Sequence, residues 1–180
     1  MAVSDEILAL YRDHGSTTLE GMSLHDAALE AAYLAESFEA HDSLILAVLM
    51  RDIGYLVADA ATIEAKGHDV VGSEWLAQYF GPAITEPIRL HVGAKRYLCT
   101  QASHYKTRLS KDSRKSLDLQ GGLMTQHELA EFSRNRYFIE ALKLRRWVDA
   151  ARVPGIRVPG FEHYRARIDA AVRQPALTVA

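Results

Sequence analysis

The chain has 180 residues and a mass of 20.1 kDa, a length typical of one domain. Hydrophobic residues make up 48% of it, which is enough to bury a core without disulfides or a structural metal. The single cysteine, Cys99, cannot form an internal disulfide, and no apolar run reaches the roughly 18 residues of a membrane helix. The first residues also lack the basic and then apolar pattern of a secretion signal. We therefore expect a cytoplasmic protein.

The formal net charge of −2 hides a division between the two halves of the chain. Residues 1–92 carry 15 acidic and 4 basic side chains, whereas residues 93–180 carry 8 acidic and 17 basic ones. Two interpretations fit this division. The halves attract each other within one fold, or one half supplies ligands for a cation while the other binds an anion.

Helical patterns dominate the sequence, and the alternation typical of strands is almost absent. Predicted helices cover residues 4–11, 23–38, 42–58, 68–80, 84–99, 137–152 and 161–173. A further helix is predicted to begin after Thr125. Ser23 and Thr125 are the expected N-caps, with Asp26 and Glu128 at the capping-box positions. The polar stretch 100–122 is predicted to be a loop with one short helix.

The segment 42–58 is apolar nearly all round, which is typical of a helix buried in the middle of a domain. We therefore expect an all-α protein with a single domain over residues 1–180. Its core is expected within about 17–160, followed by the C-terminal helix at 161–173.

Three residues on separate predicted helices have the chemistry of a metal site. Asp52 is a carboxylate inside an apolar helix, where its charge is costly unless it is paired with an arginine or bound to a cation. His68 begins the motif HDVVG, and His91 lies in LHVGAK, where packing in the core is the simplest alternative explanation. Two histidines and one carboxylate form the set that binds Fe(II) and leaves other coordination positions open. The remaining histidines show no ligand spacing and are interpreted as surface or structural residues: His14, His41, His104, His127 and His163.

The stretches HVGAKRYLC, SRKSLDLQGG and LRRWVDAARVPG make the chain resemble the HD-domain superfamily. The similarity is greatest to the di-iron oxygenases that cleave organophosphonates, a branch related to myo-inositol oxygenase. It covers about residues 17–160 and is most specific from His91 to Gly155. The resemblance implies an HD-type helical bundle around two metals and a small anionic metabolite as substrate.

The resemblance also implies which metal ligands this chain keeps. The residues that correspond to the ligands of the second metal are all present: Asp52, His68 and His91. The private ligands of the first metal are replaced, at Ala27, Arg51 and Val148. The nearest substitutes for two of them are His25 and Asp149.

Arg51 stands in the place of the histidine in the family's His-Asp pair. A guanidinium cannot lose its charge in a protein, so Arg51 can pair with Asp52 and make a metal unnecessary. The expected cofactor is therefore one divalent metal, most simply Fe(II), with no metal at all as the alternative.

The resemblance implies a better-preserved site for the anionic group of the substrate. Lys95 and Arg145 match the cations that hold this group in the family. Ser113 and Ser116 match a loop that binds the same group, and Gln120 precedes two glycines that let the backbone approach closely. Seven basic side chains and one acidic side chain lie between Lys95 and Ser116, which favours an anion site over a mere solvated basic face.

Besides Asp52, two positions are candidates for catalytic roles. The family often has a histidine where this chain has Tyr55, whose hydroxyl can hydrogen-bond a substrate but is no base near neutral pH, because its pKa is about 10. The family's gating tyrosine and glutamate correspond to Thr17 and Glu20. Glu20 is expected to reach the site, whereas Thr17 lacks the phenol of a tyrosine.

Two functions of different classes follow. The first is a metal-dependent enzyme, an oxygenase if the open metal positions bind substrate and dioxygen, or a hydrolase if they bind water. The second is a non-catalytic protein that binds a small anionic phosphonate, phosphate or carboxylate, or pairs with an active paralogue. A homodimer is the other expected assembly. We expect no membrane partner and no nucleic acid, because the basic residues do not alternate with aromatic ones and the acidic half repels phosphates.

Overall fold

The computed structural model describes residues 2–19, 21–151 and 156–173. Its elements in chain order are α1 (Val3–His14), β1 (Thr18–Leu19), β2 (Met22–Ser23), α2 (Leu24–Ser37), α3 (Asp42–Met50), α4 (Gly54–Val57), α5 (Ala60–Lys66), α6 (His68–Leu76), α7 (Pro82–Gln101), α8 (Ser103–Arg108), α9 (Lys111–Leu119), α10 (Gln126–Ser133), α11 (Phe138–Ala150), a 3-10 turn (Phe161–Tyr164) and α12 (Arg165–Ala171). The predicted all-α class is confirmed. Among the described residues, the only strands are β1 and β2, which pair antiparallel over two residues each.

Helix α3 lies at the centre of the fold. Seven of its residues, Leu44 to Met50, are buried, so it has no solvent face from there on. Helices α2, α7 and α11 pack around it, and α6 packs on α7. Apolar side chains of α2, α3, α7 and α11, together with Leu76 at the end of α6, form one large hydrophobic cluster. Each Å² of apolar surface that this cluster removes from water stabilises the fold by about 25 cal/mol. The segment that follows α3 therefore begins inside the protein.

The two predicted N-caps are confirmed. The hydroxyl of Ser23 accepts a hydrogen bond from the backbone N–H of Asp26 at 3.0 Å. At the start of α10, the Thr125 hydroxyl accepts from the Glu128 N–H, and the Glu128 carboxylate accepts from the Thr125 N–H, which completes a capping box. These caps satisfy backbone donors that have no partner inside the helix.

The prediction of one continuous helix over 42–58 is wrong. Helix α3 ends at Met50, residues 51–53 form a turn, and α4 begins at Gly54. At Gly54 the chain lies so close to α6 that an added Cβ would be 2.1 Å from the carbonyl oxygen of His68. The sequence pattern does not predict the turn, because the segment remains apolar on both sides of it.

The predicted loop over 100–122 is also largely helical. It contains α8 and α9, and Ser110 caps α9 by accepting a hydrogen bond from the Ser113 N–H at 3.0 Å. Leu117 of α9 joins Leu109 and Cys99 in a small separate hydrophobic cluster. These helices contain few apolar residues, which is why the pattern predicts a loop with only one short helix.

The remaining differences are smaller. The helix predicted from residue 84 begins two residues earlier, at Pro82, and Pro87 lies in its interior. Helix α5 was not predicted, and none of its residues is buried. The predicted helix 161–173 consists of the 3-10 turn and α12. No helix in the described part of the chain is both long and apolar enough to cross a membrane.

Candidate functional site

Asp52, His68 and His91 meet in the interior, as the sequence predicts. Asp52 lies in the turn after α3, His68 is the first residue of α6, and His91 is in the middle of α7. The Nε2 atoms of the two histidines are 3.1 Å apart, and Oδ1 of Asp52 is 3.7 Å from Nε2 of His68. All three side chains are buried. Within the described residues, no other group of three or more His, Cys, Asp and Glu side chains has ligand atoms placed to hold a metal ion.

These separations suit one metal ion. Two donors about 2.1 Å from a metal and at right angles to each other are about 3 Å apart. The pair of histidine nitrogens has this spacing, and all three ligand atoms lie within 4.8 Å of one another. Imidazole nitrogen and carboxylate oxygen are also the donors of mononuclear iron sites.

The hydrogen bonding of His91 directs one nitrogen toward the site. Its Nδ1 is 2.6 Å from the carbonyl oxygen of Ile88, which can only accept, so Nδ1 carries the proton. Nε2 of His91 therefore presents a lone pair, which accepts a hydrogen bond from the Nε2–H of His68 at 3.1 Å. A metal ion that binds both nitrogens would replace this hydrogen bond, with the His68 proton moving to Nδ1. A metal-bound histidine normally donates its other N–H, as His91 does to the carbonyl oxygen of Ile88.

Burial keeps both histidines neutral. It lowers the pKa of His68 to about 4, against the attraction of Asp52, and it lowers the pKa of His91 well below the ordinary value. The neutral imidazole is the form that binds metals. For Asp52, burial acts to raise the pKa, but the charge of Arg51 and its other positive neighbours outweighs burial, and the pKa is lowered.

Arg51 pairs with Asp52, as its place in the sequence suggests. Its Nη2 is 2.9 Å from Oδ2 of Asp52, and its Nη1 donates to the carbonyl oxygens of Val48 and Ala27 at 3.2 and 3.3 Å. The Arg51 side chain is only 5% exposed. The two oxygens of Asp52 thus face different neighbours, Oδ2 the guanidinium and Oδ1 the histidines.

A cavity of about 70 Å³ lies beside the histidines and contains most of the predicted anion-binding residues. Its polar lining includes Lys95, Ser116, Gln120 and Arg145. The ammonium of Lys95, which is almost wholly buried, donates to the hydroxyl of Ser116 at 2.8 Å. The amide oxygen of Gln120 is buried without a hydrogen-bond partner in the protein. Two cations and one unsatisfied acceptor suit a small anion that also carries a hydrogen-bond donor.

Ser113, unlike the other predicted anion-binding residues, does not line this cavity. Its side chain is buried in α9, and its carbonyl oxygen accepts a hydrogen bond from the Ser116 hydroxyl at 3.1 Å. Because Ser113 is three residues before Ser116 on one helix, it supports that hydroxyl from behind. Ser113 therefore contacts the site only through Ser116, whose hydroxyl accepts the hydrogen bond from Lys95.

Arg145 lines the cavity from α11, and its guanidinium is bound to Asp149 one turn later. Nε donates to Oδ2 of Asp149 at 2.9 Å, and Nη2 donates to Oδ1. The hydroxyl of Tyr105 donates to the same Oδ2. A two-point contact with a carboxylate holds the plane of the guanidinium in one orientation. Asp149 therefore acts as the anchor of Arg145 and does not point into the metal site.

Tyr55 lies against His68 with the two rings stacked, their centroids 4.4 Å apart and their planes inclined by 15°. It also lines the cavity. The ring of Tyr55 thus restricts the orientation of His68. Glu20 lies outside the described residues, and Thr17 is exposed at the start of the β1–β2 hairpin.

The chain is similar to characterised proteins along nearly its whole length. It is 40% identical over 173 residues to the hydroxymethylphosphonate dioxygenase of Gimesia maris. The aligned region covers 92% of this chain and 86% of that protein. It is 32% identical over 158 residues to the [1-hydroxy-2-(trimethylamino)ethyl]phosphonate dioxygenase (glycine-betaine-forming) of Leisingera caerulea, with 85% and 81% covered. The chain belongs to the HD-domain branch of phosphonate oxygenases.

A viral protein is also similar to this chain over most of its length. The uncharacterized protein L432 of Acanthamoeba polyphaga mimivirus is 33% identical over 168 residues, 88% of this chain and 77% of that protein. A scan against profiles of known protein families gives no match. The membership in the HD-domain branch therefore depends on the whole-length relatives.

The residues at the first-metal positions of this HD-domain protein also lie together. Ala27, Arg51, Asp52 and Val148 line a second, smaller cavity of about 30 Å³. None of these residues except Asp52 can ligate a metal, and the guanidinium of Arg51 supplies the positive charge there. The substitutes suggested by sequence do not fill the gap. His25 is bound to Asp26 at 3.0 Å near the surface, and Asp149 is bound to Arg145.

Sequence reasoning missed several residues of the site. Leu19 and Val92 line the cavity, and Tyr105 holds Asp149. The four-residue spacing of Arg145 and Asp149 is the one available signal, because such pairs meet on a helix. The apolar lining and the role of Tyr105 have no local signal. The other five histidines singled out as surface or structural residues are exposed, which confirms that interpretation.

Proposed function

We propose that this protein is a metal-dependent oxygenase that cleaves a small organophosphonate, with one divalent metal, Fe(II), bound by Asp52, His68 and His91. The observation that carries this proposal is the 3.1 Å separation of the two histidine Nε2 atoms beside the cavity that contains Lys95 and Arg145. The names of the two dioxygenase relatives support the reaction class and the phosphonate.

The donor set supports one metal and not two. Oδ1 of Asp52 and the two histidine nitrogens are available on one side, whereas Oδ2 is engaged by Arg51. A fixed cation beside Oδ2 repels a second metal ion. When bound by two histidines and one carboxylate, Fe(II) supplies redox chemistry with dioxygen.

The protein's own residues bind and orient the substrate. Lys95 supplies positive charge to the phosphonate dianion. Arg145, whose own charge is paired with Asp149, adds N–H donors that Asp149 keeps in one plane. The amide oxygen of Gln120 accepts a hydrogen bond from a hydroxyl on the neighbouring carbon. A cavity of about 70 Å³ admits only a short carbon chain.

Hydroxymethylphosphonate, the substrate in the name of one relative, fits these requirements. One molecule of hydroxymethylphosphonic acid and one of dioxygen contain the same atoms as one formic acid and one phosphoric acid. The C–P bond breaks, the carbon is oxidised and dioxygen is reduced, so no other reductant is needed.

The second candidate is a protein that binds an anionic metabolite, or pairs with an active paralogue, without a metal. The observation that favours it is the Arg51–Asp52 pair, because at 2.9 Å a permanent cation already balances the buried carboxylate. The third candidate is a hydrolase that uses the same metal ligands. Release of phosphate from the phosphonate without consumption of dioxygen would support it.

Metal analysis and a reaction assay test the proposal together. Protein purified without chelators or metal-affinity resin is loaded anaerobically with Fe(II), desalted and assayed for iron. We expect one equivalent, lost in His68→Gln and His91→Gln and retained in the exposed control His127→Gln. Loaded protein should then consume dioxygen and release phosphate from hydroxymethylphosphonate in equal amounts.

The other outcomes separate the alternatives. Two equivalents of iron contradict the single-metal site. Phosphate release without dioxygen consumption supports the hydrolase. Phosphonate binding by a protein that retains no metal supports the metal-free binding protein.

A further inference from the structure

A larger pocket, of about 430 Å³, lies on the far side of the residues that anchor Arg145. Tyr105 and Arg108 of α8 line it on one side, and Arg146 and Asp149 of α11 line it on the other. We call it the outer pocket. Tyr105 and Asp149 form the wall between the outer pocket and Arg145, because Asp149 binds both side chains.

The outer pocket is positively charged. Arg108 and Arg146 are both exposed, and neither forms an ion pair or a side-chain hydrogen bond with any residue of the described ranges. Among the described residues that line the pocket, the one carboxylate is Asp149, which is already paired with Arg145. His104 also lies at this pocket. Two guanidinium groups without a counter-ion favour an oxyanion, such as a carboxylate, phosphate or phosphonate, that can accept two parallel N–H bonds.

The floor of the outer pocket is apolar. It includes Leu98 of α7 and Leu109 after α8, both largely buried. Its volume falls within the range of about 300–1,000 Å³ that is usual for organic ligands, whereas the inner cavity of about 70 Å³ is far smaller. The apolar floor and the exposed guanidinium groups of Arg108 and Arg146 together suit a ligand with one apolar and one anionic part.

Two other surface depressions, of about 580 and 520 Å³, lack this combination. In the first, Arg12 is paired with Asp13. In the second, Lys66 is paired with Glu74. Cations that already have a counter-ion attract an anion weakly, so these two depressions do not have the character of the outer pocket.

We propose that the outer pocket is a second binding site, for an organic phosphonate, phosphate or carboxylate that carries an apolar group. Arg108 and Arg146 bind the oxyanion, and the apolar group lies on Leu98 and Leu109. The site is separate from the metal ligands and does not depend on the proposed oxygenase activity.

Phenylphosphonate is the probe. A phenyl ring does not fit the inner cavity, since cavities that hold benzene measure about 150 Å³. We expect calorimetric titration to give saturable binding at one site. The double variant Arg108→Gln/Arg146→Gln should weaken it at least tenfold, and Arg134→Gln/Arg136→Gln, which removes the same charge elsewhere, should not. All four arginines are exposed, so these variants are expected to fold.

A crystal structure with phenylphosphonate should place the ring against Leu98 and the phosphonate between Arg108 and Arg146. Four results overturn the proposal. They are no binding, binding that survives loss of both arginines, equally tight binding of the uncharged probe benzyl alcohol, and a crystal structure in which the phenyl ring lies at any other surface.

Discussion

The guanidinium of Arg51 lies 2.9 Å from Oδ2 of Asp52, and both side chains are buried next to two neutral histidines. This pair places a permanent cation inside a site whose other half still has metal-ligand geometry. Oδ1 of Asp52 continues to face His68. One oxygen of the Asp52 carboxylate thus binds the Arg51 guanidinium, and the other faces the position where a metal ion can bind.

Loss of Arg51 should destabilise the metal-free protein strongly. In Arg51→Met the Asp52 carboxylate remains buried without its partner, and breaking such a pair costs about 3–5 kcal/mol of unfolding free energy. Urea unfolding in the presence of a chelator measures this change. The matched control is Arg12→Met, whose exposed pair with Asp13 should contribute nothing measurable. Equal stability of Arg51→Met and the parent would contradict the role of the pair.

The same variant should respond more strongly to metal. With Arg51 absent, a divalent ion is the nearest cation for Asp52, so added Mn(II) should raise the midpoint of thermal unfolding more in Arg51→Met than in the parent. Adding His68→Gln should remove that gain. A gain that persists without His68 places the ion elsewhere.

The stability of the metal-free protein should fall as the pH drops below about 6.5. Both buried histidines have lowered pKa values, His68 about 4, so the unfolded chain binds more protons there and is favoured by acid. Each histidine contributes a slope of about 1.4 kcal/mol per pH unit. Asp69 acts in the opposite direction, because burial raises its pKa to about 6 from 3.8. Two histidines outweigh one carboxyl group.

Urea unfolding at pH 4.5, 5.5, 6.5 and 7.5 measures this dependence. In His68→Gln, the unfolded chain should bind about one proton fewer relative to the folded protein, so the slope of unfolding free energy against pH should be smaller. The exposed control His127→Gln should leave the slope unchanged. An identical slope in His68→Gln and the parent would mean that His68 is not held neutral.

Removal of the Tyr105 hydroxyl should weaken anion binding in the inner cavity. Tyr105→Phe leaves Asp149 with one partner fewer, so the Arg145 guanidinium loses part of its orientation. One hydrogen bond is worth about 1 kcal/mol, which corresponds to a loss of about fivefold in the affinity for inorganic phosphate, measured by calorimetry. Tyr79→Phe is the control, because that hydroxyl binds Glu6 away from the cavity. Unaltered affinity in Tyr105→Phe would show that Arg145 needs no support from Tyr105.

An alanine at position 54 should damage the site through packing alone. Its Cβ would lie 2.1 Å from the carbonyl oxygen of His68, so α4 and α6 must separate. We expect a loss of about 1–3 kcal/mol in unfolding free energy and weaker iron retention. Gly160→Ala, where no atom lies within 4 Å of the added Cβ, should change neither. Normal iron content in Gly54→Ala would show that the α4–α6 contact does not position His68.

Local sequence signals predicted the elements whose causes are local. The caps at Ser23 and Thr125 are formed within three residues, and the burial of α3 follows from its apolar surface. The turn over 51–53 has no such signal, and the sequence predicts one short helix within 100–122 where the structure has two. They depend on contacts with distant segments, such as the approach of Gly54 to His68.

The sequence by itself determined the all-α class, the presence of Asp52, His68 and His91, and the presence of an arginine where the family has a histidine. Residue types and a resemblance along the chain are sufficient for these statements. Only the tertiary structure decided that Arg51 engages one oxygen of Asp52 and leaves the other toward the histidines. It also decided that Asp149 binds Arg145 and not a metal. Hydrogen bonds and ion pairs depend on distances of a few tenths of an ångström between side chains from separate helices, and no one-dimensional pattern specifies them.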